Sequence, residues 1–292
     1  MSDPHPNPAA SRLRALLAQP GLVMMPCCYD ALSARLIQQA GFDLTFLSGF
    51  SASASRIGAP DLGLMSYGEV SDQARNVLEA IDIPMMVDGD TGYGNAMNVM
   101  RSVEGFARAG CAGVMIEDQV APKRCGHTQG KAVVDREEAY DRIRAAIEAR
   151  GRSDIVIKAR TDARRTHGLS EAIERAQMFA ELGAEMIFVE EPLSEDEMRT
   201  LCNEVPGAMV ANMLEGGQTP ILPPARLKAL GFRVAAYPLA AMAAAMQAMA
   251  TTLAALKAGQ DHTGGLMAFG ELRQRLGFDA YYEAEARYAR KE

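Results

Sequence analysis

Basic charge is in short supply: 30 Lys and Arg stand against 37 Asp and Glu, a formal net charge of -7. No basic footprint exists for nucleic acid or an anionic membrane, so any bound anion must be held by local positive charge. The cysteines, Cys27, Cys28, Cys111, Cys125 and Cys202, are few, odd in number and irregularly spaced. They do not form a disulfide framework, and with no apolar segment of the signal-peptide kind at the start a reducing cytoplasm is expected. Long apolar runs are also missing. The nearest, Ala235 to Leu256, is rich in Ala, is broken by Pro238 and reads as a buried helix rather than a membrane span. No low-complexity linker divides the chain, so one domain over 1–292 is expected. Within it, 1–11 read as a loose tail, a short helix from Arg12 to Ala18 lies over one end, 22–258 form the main body and 259–292 a helical extension.

What the chain does have is alternation. Eight apolar, β-rich runs, beginning near Leu22, Asp43, Ile83, Gly113, Asp154, Glu185, Ala208 and Arg233, are separated by segments with helical periodicity, several of which stop at glycine. Eight βα units predict an α/β fold of the (β/α)8 TIM-barrel type. Two more helical segments, around Gly270 to Leu276 and Tyr281 to Arg290, carry Phe278, Tyr281, Tyr282 and Tyr288, an aromatic surface suited to a neighbouring subunit.

In such a barrel the strand C-termini build the active site, and here they are crowded with polar residues. The third run ends in Asp88 and Asp90, which alternation sends to the same side, and the fourth in Glu117. These make a hard oxygen site of the sort Mg²⁺ accepts; the alternative is ordinary Asp-Gly turn chemistry. Arg160 is placed either to hold a substrate carboxylate or to pair with neighbouring acids. Ser48, Gly49 and Phe50 end the second run with backbone N–H groups that can face an anion. Asp61 in the next loop reads as a helix cap or a ligand. The loop after the fourth run places Cys125 among two cations, His127 and glycines, a setting that lowers a thiol pKa and suits a closing lid, or else a solvated basic loop with an incidental thiol. The other four cysteines read as structural, and His5, His167 and His262 have no role. Lys158 should point inward beneath Arg160 and pair with Glu117 or Glu190, unless a bulge turns it outward.

The runs FLSGF (46–50), VDGDTGYGNAMNV (87–99), IEDQVAPKRCGH (116–127), ARTDA (159–163) and ANMLEGG (211–217) together resemble the isocitrate lyase/phosphoenolpyruvate mutase superfamily. The likeness runs from about Tyr29 to Leu239 and is greatest for the lyase branch that holds methylisocitrate lyase, 2,3-dimethylmalate lyase and the petal death protein. It implies Mg²⁺, with Mn²⁺ as a substitute, surrounded by Asp61, Asp88, Asp90 and Glu117. It also implies a substrate held by Ser48, Gly49, Phe50, Arg160, Asn212 and Pro238, with Cys125 as proton donor and His127 and Glu190 completing the pocket. Leu214 replaces the hydroxyl residue that tricarboxylate lyases tend to carry, and Pro238 the Ser of oxaloacetate hydrolases. The resemblance therefore implies a carbon–carbon lyase that cleaves a 2-alkylmalate-type 2-hydroxy dicarboxylate to a 2-oxo acid such as pyruvate and a second acid. The alternatives are methylisocitrate cleavage, oxaloacetate hydrolysis or decarboxylation, and phosphonopyruvate-type chemistry; outside enzymes, a metabolite-binding barrel. A small carboxylate is the expected partner, with no nucleic acid and no membrane, in a cytoplasmic homotetramer whose C-terminal helices are exchanged between subunits.

Overall fold

The computed structural model describes residues 7–126 and 130–288, apart from the Arg152 side chain. All eight expected runs are strands: β1 (Val23–Cys28), β2 (Thr45–Leu47), β3 (Met85–Asp88), β4 (Gly113–Glu117), β5 (Val156–Thr161), β6 (Met186–Val189), β7 (Ala208–Asn212) and β8 (Val234–Tyr237). Each pairs in parallel with the next and β8 returns to β1, closing a TIM-type barrel. Residues β3 to β6 contribute are buried on both faces, the reason these strands read as continuous Met, Val, Ile and Phe rather than as alternating patterns.

The helices are α1 (Pro8–Ala18), α2 (Ala31–Gln39), α3 (Gly49–Ile57), α4 (Tyr67–Leu78), α5 (Ala96–Arg108), α6 (Arg136–Ser153), α7 (Ala163–His167), α8 (Leu169–Glu181), α9 (Glu195–Glu204), α10 (Pro224–Leu230), α11 (Ala240–Lys257), α12 (Phe269–Leu276) and α13 (Phe278–Ala286). Their starts follow side-chain caps. Asp30 accepts from the Ser33 N–H, and Ser66 and Glu69 form a reciprocal capping box. The first helix begins at Pro8 rather than Arg12, so residues 8–11 are not loose tail. Asn7 is the cause: its Oδ1 accepts from the Ala10 N–H at 3.0 Å while its Nδ2 donates to the Cys111 carbonyl at 2.8 Å. Ala10 and Leu13 are then buried with Met25, Leu44, Met86 and Val156, the apolar filling of the barrel interior. A second, larger core lies between the strands and the surrounding helices, around Phe106, Ile143 and Phe179. The chain divides into two compact units, Met1–Met242 with the barrel and Ala243–Glu292 with α12 and α13.

Gly89, just past β3, fixes how closely β3 and β4 approach. Its N–H donates to the Met115 carbonyl at 2.9 Å, and a Cβ there would stand 2.6 Å from that oxygen and 2.8 Å from Val114 Cγ2. Gly89→Ala must push the end of β3 off β4, at a cost of about 1–3 kcal/mol. Urea unfolding should show that loss; a variant as stable as the parent would mean the strand end slides freely.

Candidate active site

Nine of the expected site residues, Ser48, Phe50, Asp61, Asp88, Cys125, Arg160, Glu190, Asn212 and Pro238, line one cavity at the C-terminal end of the barrel. Topology brings them there: β2 ends at Leu47 and Ser48 caps α3 by accepting from the Ser51 N–H, so the chain turns from strand to helix at the cavity wall. The Gly49 N–H, expected to face an anion, faces the Asp88 carboxylate at 3.2 Å, and a Cβ on Gly49 would lie 2.6 Å from the same oxygen. Only glycine admits that approach. Asp61 is no helix cap; its carboxylate points to the cavity beside Asp88. Asp90 reaches the site by another route than alternation, since β3 stops at Asp88 and Asp90 takes a left-handed backbone, φ 48°. Glu191, at the end of β6, is likewise left-handed at φ 58°. Such conformations in non-glycine residues gather where function holds them.

Lys123 organises the acids, and the sequence reading, which counts it as one of two loop cations, misses it. Its ammonium is 2.7 Å from Asp61, 2.9 Å from Asp90 and 4.0 Å from Asp88, fully enclosed. Burial pushes the Asp90 carboxyl up to about 7 against the pull of Lys123, with Asp88 and Asp61 adding to the rise. Burial likewise raises the Glu117 carboxyl well above its usual range, more than Arg160 and Lys123 can offset. The only signal for Lys123 in the sequence is its place two residues before Cys125.

Arg160 stands opposite Glu117 across the β4–β5 pairing and makes both contacts left open for it. Its Nε and Nη2 donate to Asp162 at 2.8 and 3.0 Å, Nε lies 3.3 Å from Glu117, and Nη2 lies 3.1 Å from Glu190. Burial alone would lower the guanidinium pKa, but these three acids more than reverse it and fix the charge. Asn212 at the end of β7 donates to Glu190 at 3.2 Å.

The loop after β4 lies over this cluster. Its two sides pair where Gln119 bridges Val133, Arg142 donates to the carbonyls of Glu117 and Gln119, and Lys131 is clamped between Asp162 at 3.0 Å and Glu191 at 2.8 Å. At its turn, Gly126 sits so close that a Cβ would be 2.5 Å from Arg160 Nη2 and 2.7 Å from Glu190. Cys125 is thus a half-buried thiol in the cavity wall. His127 lies outside the described residues. Lys158 does point inward, but the expected ion pair is absent. Among the described residues no carboxylate is within pairing distance of it, and its Nζ lies 3.8 Å from the Phe46 ring centre and 5.6 Å from that of Phe188. Arg160, one layer above, already takes Glu117 and Glu190.

Among the described residues, no three carboxylates, histidines or cysteines stand in metal-holding geometry. The donor set nevertheless fits a hard divalent cation. Asp61, Asp88 and Asp90 surround a positive charge, that of Lys123, and beside them Glu117 Oε1 and the Tyr93 hydroxyl are buried without a partner.

Comparison with known proteins agrees with this geometry. The sequence profile of the phosphoenolpyruvate phosphomutase family matches residues 13–257. The chain is 42% identical over 284 residues to 2,3-dimethylmalate lyase of Eubacterium barkeri, covering 96% of this chain and 98% of that one. It is equally 42% identical, over 293 residues, to the chloroplastic carboxyvinyl-carboxyphosphonate phosphorylmutase of Arabidopsis thaliana, covering 97% and 86%. Among solved structures, an oxaloacetate acetylhydrolase bound to 3,3-difluorooxalacetate superposes with a TM-score of 0.92 at 34% identity over 99% of both chains. A phosphonopyruvate hydrolase in complex with oxalate and Mg²⁺ does so with a TM-score of 0.84 at 28% identity, covering 96% and 99%. With its full barrel inside the match, the chain belongs to the phosphoenolpyruvate mutase/isocitrate lyase superfamily, whose members include 2,3-dimethylmalate lyase.

Proposed function

We propose that this protein is a Mg²⁺-dependent carbon–carbon lyase that cleaves a small 2-hydroxy dicarboxylate of the 2-alkylmalate type into a 2-oxo acid and a second carboxylic acid. The observation that carries this reading is the meeting, in one cavity, of the Asp61 and Asp88 carboxylates, the fixed Arg160 guanidinium and the Cys125 thiol, with Asp90 joined to them through Lys123. Asp61, Asp88, Asp90 and Glu117 would hold the cation, with Mn²⁺ as a substitute. When bound, it supplies positive charge to oxygens that turn negative as the bond breaks. Arg160, oriented by Asp162, Glu117 and Glu190, holds the carboxylate of the 2-oxo half, with the Ser48 hydroxyl and the Phe50, Asn212 and Pro238 side chains closing around it. As the carbon–carbon bond breaks, its electron pair stays on the carbon next to the departing carboxylate. Cys125 gives its proton to that carbon, a carboxylate of the rim takes the proton of the substrate hydroxyl, and the C–O bond becomes the carbonyl of the 2-oxo acid. The clamped loop keeps water from competing for this proton transfer, and His127 and Glu190 complete the wall.

Oxaloacetate hydrolysis is a second reading, supported by the likeness to the acetylhydrolase. Against it, Pro238 presents no hydroxyl to the cavity. Methylisocitrate cleavage is less well supported because Leu214 offers nothing to a third carboxylate. Incubation with Mg²⁺ and a panel of malate derivatives, with 2-oxo acid detected by a coupled dehydrogenase, separates these reactions. Absence of product from every member would leave a metabolite-binding barrel.

Asp88→Ala should abolish Mg²⁺ binding measured by calorimetry while circular dichroism stays that of a folded barrel, since removing one of several crowded carboxylates relieves repulsion. Wild-type affinity in that variant would defeat the metal assignment. Cys125→Ser should lower kcat by about 10² or more with Mg²⁺ affinity unchanged, because a hydroxyl is a far weaker acid than a thiol. Near-normal turnover would make the thiol incidental.

We place the enzyme in the cytoplasm, in keeping with five free cysteines, and as a homotetramer. Supporting assembly, the second compact unit exposes Phe269, Phe278, Tyr281, Tyr282 and Tyr288, more aromatic surface than a monomer leaves in water. Exchange of these C-terminal helices between subunits would cover it. Light scattering at micromolar concentration should give four chains; a monomer would remove the assembly claim.

A further inference from the structure

The floor of the active-site cavity is apolar apart from one charge. Cys27, Phe46, Met115 and Phe188 face it from β1, β2, β4 and β6, and Lys158 enters from β5 with only 2% of its surface exposed. The carboxylates of the rim are committed elsewhere: Asp61 and Asp90 to Lys123, Glu117 and Glu190 to Arg160. None reaches Lys158, whose ammonium rests on the faces of Phe46 and Phe188. Two aromatic faces offset only part of what burial of an ammonium costs. The position is therefore a cation awaiting an anion, inside a cavity that opens to ligand. Its surroundings agree. Burial pulls the lysine down to about 8 and Arg160 above it adds to the fall, while Asp88 and Glu190 are too distant to pair, and burial keeps the adjacent Cys27 thiol protonated.

We propose that Lys158 is a specificity-determining residue: its ammonium, seated between Phe46 and Phe188, receives a carboxylate on the part of the substrate that becomes the 2-oxo acid, in addition to the carboxylate held at Arg160. The preferred 2-oxo product is then a dicarboxylate rather than pyruvate, and the substrate a 2-alkylmalate whose alkyl arm itself ends in a carboxylate, three carboxylates in all. This rests on reading the cavity as a 2-oxo acid site, and it amends the two-carboxylate substrate of that reading by placing a third on the 2-oxo half. Arg160 and the rim fix the head of the molecule, so whatever its chain carries toward the floor meets Lys158. A methyl group there leaves the charge unpaired, whereas a carboxylate completes a desolvated, charge-assisted contact.

Binding of paired 2-oxo acids tests this without requiring turnover. By calorimetry with Mg²⁺ present, the wild-type protein is titrated with 2-oxoglutarate against 2-oxopentanoate and with 2-oxosuccinate against 2-oxobutyrate, pairs in which a carboxylate replaces a methyl at the chain end. The dicarboxylate should bind about tenfold or more tightly in at least one pair, as a buried charge-assisted contact implies. Lys158→Met should bring that pair within about twofold while leaving the monocarboxylate bound as well as before, and Lys158→Arg should keep the preference. Lys158→Gln removes the same charge should the Met variant not fold, which thermal melting reports. A merely structural lysine would change stability and affect both members of a pair alike. Equal affinities in the wild type, or a preference that survives Lys158→Met, overturn the proposal and leave the 2-oxo acid site intact. If none of the four acids binds the wild-type protein, the 2-oxo acid site falls and the proposal with it.

Discussion

Charge compensation in a buried site is the constraint on which the rest of this structure depends. Among the described residues, seven buried carboxyl groups, Asp61, Asp88, Glu117, Asp118, Asp162, Glu190 and Glu191, stand against five buried cations, Lys123, Arg142, Lys158, Arg160 and Arg175. Burial disfavours every one of those charges, and all but Lys158, which rests on aromatic faces, are held by hydrogen-bonding or oppositely charged partners. Arg160 and Lys131 keep Asp162 ionised, its pKa pulled down although burial alone would raise it. Arg175, the Thr161 hydroxyl and the Asp162 N–H at 2.9 Å all hold Asp118, although burial and the neighbouring Asp162 charge still raise its carboxyl. Toward β3 and β4 Asp90 and Glu117 are pushed toward protonation as well, and there, among the described residues, Glu117 keeps an oxygen with no partner. The unmet negative charge lies on the β3–β4 side, where a divalent cation would restore it.

The loop after β4 is what delivers compensation, and so it couples chemistry to closure. Lys123, Cys125 and Gly126 ride on one segment whose ends are tied by the Gln119–Val133 bridge and by Lys131. If the segment moved away, Lys123 would leave three carboxylates facing one another and Arg160 would lose the backbone packed against it. The position of that segment and the protonation of the rim acids are thereby linked. On the proposed reading of Cys125 as proton donor, the thiol shares a segment with the charge that stabilises the site.

How much of this was legible in the sequence depends on whether a residue's neighbours are set by the barrel or by a loop. The strands, and the rim positions of Asp88, Glu117, Arg160, Glu190 and Asn212, follow from periodicity and from the rule that strand C-termini face the site. Asp90 was placed correctly for an incorrect reason, since its direction comes from a left-handed residue beyond the strand end. Lys123 was not legible because the path of a long loop has no periodicity to read. Lys158 was legible in direction and not in partner: strand order names the nearest acids, but not that Arg160 has already taken them.

The proteins this chain resembles include a lyase, a phosphorylmutase and hydrolases. Fold therefore does not choose the reaction. The choice must lie in side chains that touch the variable part of the substrate while leaving the carboxylate cluster alone. In this cavity those are Leu214 and Pro238 near the mouth, both without a hydrogen-bonding side chain, and Lys158 on the floor, a cation that no acid among the described residues answers. An apolar mouth over a charged floor favours substrates that carry their alkyl group outward and their extra charge inward. Desolvation makes this arrangement selective in both directions, since an alkyl chain strands the buried ammonium and a charged group at the mouth finds no partner.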